Sequence, residues 1–265
     1  MANLFFPQLS SGALAQYPIK KTRLVRTINN VLPDGNMILL PDPGGARLVW
    51  QMAYTDLSSS DLGVLQNHFS ACLGPFHAFT FIDPTDNMLV FSSDLTAAAW
   101  QTSSLIRLSS GLADPQGGAA AFSAVNGSQV SELISQTLIV PAGYQYCFSL
   151  YASSAQPAEL VLLRSGPATS ESTVVSIGSE WSRVVSTGQL SDSGTSLTVS
   201  ISLAPGQQVG LYGPQVEAQI LPSRYRPTAG TGGVYANAHW GIDQLAISAD
   251  APNLFSTAFS IETAL

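Results

Sequence analysis

Hydrophobic and polar positions change rhythm along this chain. The run Arg23-Leu24-Val25-Arg26-Thr27-Ile28 is β-branched and alternating, the period of a strand. Pro33-Asp34-Gly35-Asn36 follows as a turn, and Pro41-Asp42-Pro43-Gly44-Gly45 predicts a second, since Pro presets φ while Gly and Asn accept left-handed backbone. Leu48, Trp50, Met52 and Tyr54 then alternate with Val49, Gln51 and Ala53, as a half-buried strand requires.

One segment has helical spacing. Over 58–73, Ser58 suits an N-cap, Asp61 favours the positive helix end, and Gly74-Pro75 stops the run. Leu62, Leu65, Phe69, Cys72 and Leu73 share one stripe with His68 beside it, so the helix is expected to lie on a sheet. A strand at 78–82 follows and ends in the turn Asp83-Pro84-Thr85-Asp86.

From about residue 93 helical periodicity disappears. Tyr144, Tyr146, Phe148 and Leu150 share one face, and 160–163 is a buried-type run. Trp181, Arg183 and Val185 alternate with Ser182 and Val184, and Leu197, Val199, Ile201 and Leu203 alternate with hydroxyl residues. Val209-Gly210-Leu211-Tyr212 closes the set. Short strands at such spacing predict a β-sandwich or jelly roll.

Gly230-Thr231-Gly232-Gly233 reads as a hinge, with strands expected at 234–240 and 255–262. The residues beyond the hinge are too few to fold alone. If they complete the N-terminal sheet, the chain is one discontinuous domain, 1–92 plus 230–265, with 93–229 inserted in a loop. Insertion costs little when the guest's ends lie close, because loop-closure entropy grows only logarithmically.

Composition agrees with a mainly β chain. Of 265 residues, 45% are hydrophobic and only 10% charged, whereas long helices draw on Glu, Lys and Arg. The net charge of −7 argues against a surface that grips nucleic acid, which needs clustered cations. The only lysines, Lys20 and Lys21, stand with Arg23 and Arg26; they either solvate a strand face or contact another subunit. Cys72 and Cys147 lack metal or redox spacing and read as buried free thiols. The N-terminal stretch MANLFFPQLSSGALA has no basic n-region, so no secretory leader is expected. No run approaches the roughly 20 apolar residues of a membrane span. Synthesis and folding in a cytoplasm, without membrane insertion, are expected.

Catalytic patterns are missing. There is no Gly-x-Ser-x-Gly elbow and no phosphate loop. His68, His77 and His239 have no metal-ligand spacing, and Asp83 and Asp86 sit in ordinary turn chemistry. A glycosidase needs two carboxylates facing across a cleft, and the inserted segment offers no visible pair. No catalytic residue, cofactor or metal is therefore expected. Trp100, Tyr151 and Trp181 are the candidates for a carbohydrate-binding platform, with Arg164 to fix sugar hydroxyls; the alternative is that these aromatics are core.

Two stretches carry a family resemblance. Leu57-Ser58-Ser59-Ser60-Asp61, Leu65-Gln66-Asn67-His68-Phe69, Leu73-Gly74 and Ala78-Phe79-Thr80-Phe81-Ile82-Asp83-Pro84-Thr85-Asp86 together resemble the helix-then-strand signature of bacteriophage distal tail proteins, with their tail-tube-like β-barrel. Val234-Tyr235-Ala236-Asn237-Ala238-His239-Trp240-Gly241-Ile242-Asp243 resembles the closing strands of that domain. Within the insert, Trp100, the run 142–151, Trp181-Ser182-Arg183, Gly213-Pro214-Gln215-Val216-Glu217-Ala218 and the run 222–228 resemble carbohydrate-binding-module-like jelly rolls of phage tail proteins. The resemblance implies a structural virion protein at the tail tip: a hexameric ring linking the tail tube to the baseplate hub, with DNA only as cargo through its channel. The jelly roll would point outward toward host-surface polysaccharide. A free-standing lectin-like carbohydrate-binding protein is the rival reading.

Overall fold

The computed structural model describes residues 4–265; the first three residues of the N-terminal stretch lie outside them. In chain order the elements are β1 (Lys20–Val31), β2 (Met37–Leu57), α1 (Ser59–Ala71), β3 (Phe79–Ile82), β4 (Gln101–Thr102), β5 (Ile106–Leu112), β6 (Ala121–Asn126), β7 (Glu132–Leu138), β8 (Gln145–Ser153), β9 (Ala158–Ser165), β10 (Ser170–Ile177), β11 (Ser182–Gln189), β12 (Leu197–Leu203), β13 (Gln208–Glu217), β14 (Val234–Trp240), β15 (Ile247–Ala251) and β16 (Leu254–Ala264). They form two compact units, Met1–Phe81 with Tyr235–Leu265, and Ile82–Val234. The second unit thus begins earlier than residue 93. Met88 and Leu89 are buried, and the Met88 amide donates to Val216 O at 2.9 Å, so 82–92 packs with the strands that follow it.

The first unit is one sheet in the order β1-β2-β16-β14-β3, with β15 on β16. Among the described strands it stays open, in place of the closed barrel that the tail-tube resemblance implies: β1 and β3 end the path and do not pair with each other. The alternation in β2 works as read. Leu48, Trp50, Met52 and Tyr54 are buried, and Trp50 and Met52 pair with Ile261 and Phe259 of β16. Phe81 meets Trp50 at 4.9 Å between ring centroids, and Trp240 meets Phe259 at 4.5 Å. Phe6 fills the space between Phe81 and Trp240.

Helix α1 starts where its cap chemistry places it. The Ser58 hydroxyl accepts from the Asp61 amide at 3.1 Å, and Asp61 also receives the Ser10 amide at 2.8 Å. Leu62, Leu65, His68 and Cys72 are buried, but Leu73 is 64% exposed. It falls past the helix end at φ +52, so the stripe stops one residue short and His68 takes the inner position. The expected turn at 41–45 is different too. Strand β2 runs through it, and the extra residues are absorbed where the register jumps from Leu24↔Arg47 to Arg26↔Asp42, a bulge-like irregularity.

The second unit is a sandwich of two five-stranded antiparallel sheets, β10-β9-β12-β7-β4 and β11-β8-β13-β6-β5. Inner positions alternate: Tyr146, Phe148 and Leu150 in one sheet, Leu160, Leu162, Val199 and Ile201 in the other, are all buried. Val161 and Leu163 are only half-buried, so 160–163 alternates instead of being covered on both sides. In the Gly230–Gly233 run, expected as a hinge, Gly230 and Thr231 are exposed but Gly232 and Gly233 are packed. Gly233 N donates to Asn87 O at 2.7 Å, and a Cβ at Gly232 would collide with Met88 O.

His68 gives the first unit a pH signature. It is 8% exposed, and Trp240 Nε1 donates to its Nδ1 at 3.2 Å, which requires the neutral ring. Burial pushes its pKa down to about 4. The unfolded chain takes up this proton near pH 6.5 and the folded chain does not, so stability is full above that pH. It should fall by up to about 1.4 kcal/mol per unit as pH drops from 6.5 toward 4. Urea unfolding of the wild type and of His68→Asn across that range checks this: the variant should lose that part of the slope.

Candidate functional site

Because strand residues alternate, the sandwich leaves a second face on sheet β11-β8-β13-β6-β5. Pairing places Arg183, Tyr151 and Tyr212 in one row across β11, β8 and β13. The next row holds Ser153, Gly210 and Ser123. Tyr151 and Tyr212 stand 6.0 Å apart, centroid to centroid, and the Arg183 guanidinium lies over Tyr151 at 5.5 Å. Arg183 Nη2 donates to Ser149 Oγ at 2.9 Å, and Nη1 to Ser223 O. Trp181, half-buried, reaches across Gly210: a Cβ there would sit 2.8 Å from its Cη2 and 2.7 Å from Ser153 Oγ. The glycine makes room for the indole.

One end of this face is closed. Glu217 is 2% exposed and accepts from the Ser223 amide at 3.0 Å and from Gln219 Nε2 at 3.0 Å, so the segment after β13 folds back over it. The other end is open. There a groove of about 510 Å³ runs beside Leu112, Ser123, Ser153, Gln207, Gln208 and Gly210, and no charged side chain lines it. Flat aromatic rings with neutral hydroxyl and amide groups suit a ligand with apolar faces and hydroxyl edges.

The four residues singled out from sequence go to different places. Tyr151 and Trp181 are on the open face. Trp100 is 5% exposed, with its indole N–H given to Phe91 O at 3.0 Å, so it presents no ring to solvent. Arg164 is 2% exposed. It points into the sandwich, where Nε donates to Ser186 Oγ at 3.1 Å, Nη1 to Gly188 O at 2.6 Å, and Nη2 to Glu171 Oε2 at 2.8 Å. Burial lowers its pKa, and Glu171 opposes that shift. Its task is to tie β9 to β11. Tyr212 and Arg183 were missed as site residues, although Arg183 had been placed on the same strand face as Trp181, and Tyr212 in the run Val209-Gly210-Leu211-Tyr212.

No triad of His, Cys, Asp or Glu suited to a metal occurs among the described residues. Asp83 Oδ1 receives the Thr85 amide and hydroxyl at 2.8 and 2.7 Å, the Asx-turn expected of that sequence. Cys72 and Cys147 are buried free thiols. Among the described residues no helix is long and apolar enough to cross a membrane.

No family model matches this chain, and no curated protein does either. Solved structures resemble about half of it. The xylan-binding domain CBM22-1 of Paenibacillus barcinonensis Xyn10C is 14% identical with a TM-score of 0.41, covering 50% of this chain and 94% of that one. The enzymatically active domain of bacteriophage CBA120 tailspike protein 4 is 9% identical with a TM-score of 0.40, over 52% of this chain and 22% of that one. TmCBM61, solved with β-1,4-galactotriose, is 16% identical with a TM-score of 0.34, over 49% and 97%.

Three substitutions separate the open face from the scaffold. Arg164→Ala should cost about 3 kcal/mol, the order expected when buried hydrogen bonds to a charged group are lost, whereas Glu171→Gln, at an exposed partner, should cost less than about 1 kcal/mol. Urea unfolding measures both. Gly210→Ala should displace the Trp181 ring, read as a change in the Trp181 indole N–H resonance, with a modest loss of stability of about 1–3 kcal/mol.

Proposed function

We propose that this chain is a non-catalytic structural protein of a phage-type tail tip, in which copies assemble into a ring and the sandwich contacts host-surface polysaccharide. The observation that carries the assembly half is the β1–β2 arm. Beyond the bulge at residue 25 both strands are exposed from Arg26 to Asp42, except at Asp42 itself, and the ribbon is apolar on both sides. Ile28, Ile38 and Leu40 share one face; Val31, Met37 and Leu39 share the other. Val31 is 71% exposed and Met37 61%. A two-stranded ribbon is marginal in water by itself, and exposed apolar patches mark interaction sites.

A second copy is the occupant this reading assigns. Heterologous head-to-tail contact closes into a ring, and the resemblance of 57–86 and 234–243 to distal tail proteins supports a hexamer between tail tube and hub. Seven acids (Asp34, Asp42, Asp56, Asp61, Asp243, Asp250, Glu262) against five bases (Lys20, Lys21, Arg23, Arg26, Arg47) in the first unit suit a channel wall that does not hold passing DNA. The open face with Trp181, Tyr151 and Tyr212 supports the polysaccharide half. The same face favours a second reading, a free-standing lectin-like protein.

Mass measurement and negative-stain imaging decide between them. The wild type should form discrete rings, and a variant carrying Ile28→Thr, Val31→Thr, Leu39→Lys and Leu40→Lys should be monomeric with the sandwich still folded. A wild-type monomer that binds polysaccharide and ignores tail-tube protein would put the lectin reading first.

A further inference from the structure

The sandwich holds a second concavity, separate from the open groove. A pocket of about 240 Å³ lies where the end of β13 meets the loop after residue 91 and the segment before residue 228. Leu95, Phe122, Leu211, Pro214 and Pro227 form its apolar wall, with Ser92, Ser93 and Tyr225 among its polar groups and no charged side chain. That volume is below the roughly 300–1,000 Å³ of pockets that enclose a drug-sized ligand. It fits a single ring or a substituent, not a chain.

The wall is built in advance. Gly213 has φ +61, and a Cβ there would lie 3.0 Å from the Tyr225 ring, so only glycine lets that ring lie on the backbone. The Tyr225 hydroxyl meets Ser92 Oγ at 3.2 Å, and Ser92 Oγ accepts the Thr228 amide at 2.9 Å. Burial pushes the Tyr225 phenol up to about 12, which keeps it neutral. Ser93 Oγ donates to Thr228 O at 3.1 Å, leaving its lone pairs for another donor. Tyr212 joins the two sites. It lines this pocket, meets Tyr225 at 5.3 Å, and stands beside Tyr151 on the open face.

We propose that this pocket is a subsite for a neutral pyranose unit bearing a methyl-containing substituent, such as a 6-deoxy methyl or an N-acetyl group. The neighbouring sugar of the same chain would stack on Tyr212 and Tyr151, so the inference rests on the polysaccharide half of the proposed function. The wall offers a methyl group apolar contact, and the hydroxyls at the rim meet the sugar's own. A carboxylate, sulfate or phosphate would lose its water there with no cation to replace it.

The test is methyl-labelled NMR of the full-length chain with four probes: methyl α-L-rhamnopyranoside, methyl N-acetyl-β-D-glucosaminide, methyl β-D-glucopyranoside and methyl β-D-glucuronide. Leu95 and Leu211 methyls report the pocket, and the Trp181 indole N–H reports the open face. Beyond the O-methyl that all four share, the 6-deoxy and N-acetyl sugars carry a further methyl and should shift Leu95 and Leu211 with Kd roughly fourfold below that of the glucoside, the worth of one buried methyl. The glucuronide should leave those methyls unmoved. Ala120 also lines the pocket, and Ala120→Trp, which fills it, should abolish the leucine response and keep the Trp181 response. Ser93→Trp does the same from the exposed rim if the first variant does not fold. Shifts at Trp181 alone would overturn the subsite while the open-face reading stands. Silence at both reporters overturns both, and an equal leucine response to the glucuronide overturns the assigned chemistry.

Discussion

Two backbone hydrogen bonds set the organisation of this chain. Asp83 N donates to Gly233 O at 2.8 Å, and Gly233 N donates to Asn87 O at 2.7 Å. They hold the beginning and the end of the sandwich unit side by side, so that about 150 residues leave and rejoin the chain at one place. Closing so long a loop costs little more than closing a short one. The consequence is felt in the other unit, where β16 lies between β2 and β14. A sheet whose inner strand comes from the last residues of the chain forms only if the intervening segment brings its two ends together.

What the residues disclosed by themselves follows from which forces are local. The helix was legible because caps, stripe and stop all lie within it, and the alternation in β2 was legible because one face of that strand meets a core. Two of the misreadings share one cause, neighbours elsewhere in the chain. Pro41-Asp42-Pro43-Gly44-Gly45 has turn chemistry, yet pairing with β1 on both sides of it draws it into a bulged strand. Gly232 has the composition of a hinge, but its missing Cβ serves close approach to Met88. Leu73 has the spacing of the stripe and lies past the last turn. Strand β15 is exposed throughout, and its short Ile247-Ser248-Ala249-Asp250-Ala251 alternation was too weak to single out.

The candidate face was half-legible for a related reason. Alternation assigns residues to faces but does not say which face is covered. Trp181 and Tyr151 could be flagged as aromatic, yet only the sheet pairing shows that Tyr212 completes their row. Arg164 and Trp100 look identical in type to ligand-binding groups. Arg164 is spent on tying two sheets, and the backbone beside it is Gly188, at φ +146, where a Cβ would press to 2.9 Å from the guanidinium. A polar residue in an alternating apolar strand signals either a site or a tether, and burial with saturated donors marks the tether.

The open face also bears on the proposed function. Its groove has no charged side chain, its rings are only half-buried, and Arg183, the one cation in the row, is committed to Ser149 and Ser223. Such a surface gives shape and stacking but few strong hydrogen bonds, and each contact it makes is weak. A monomeric lectin working by that face alone would let go readily. Repetition changes this, because linked sites rebind at an effective concentration set by their spacing, and avidity rises by orders of magnitude without new contacts. A shallow neutral face is therefore better matched to a protein displayed in several copies than to a solitary one. In the proposed function the apolar arm of the other unit is what would multiply that face, which is why the two features are proposed together as one function.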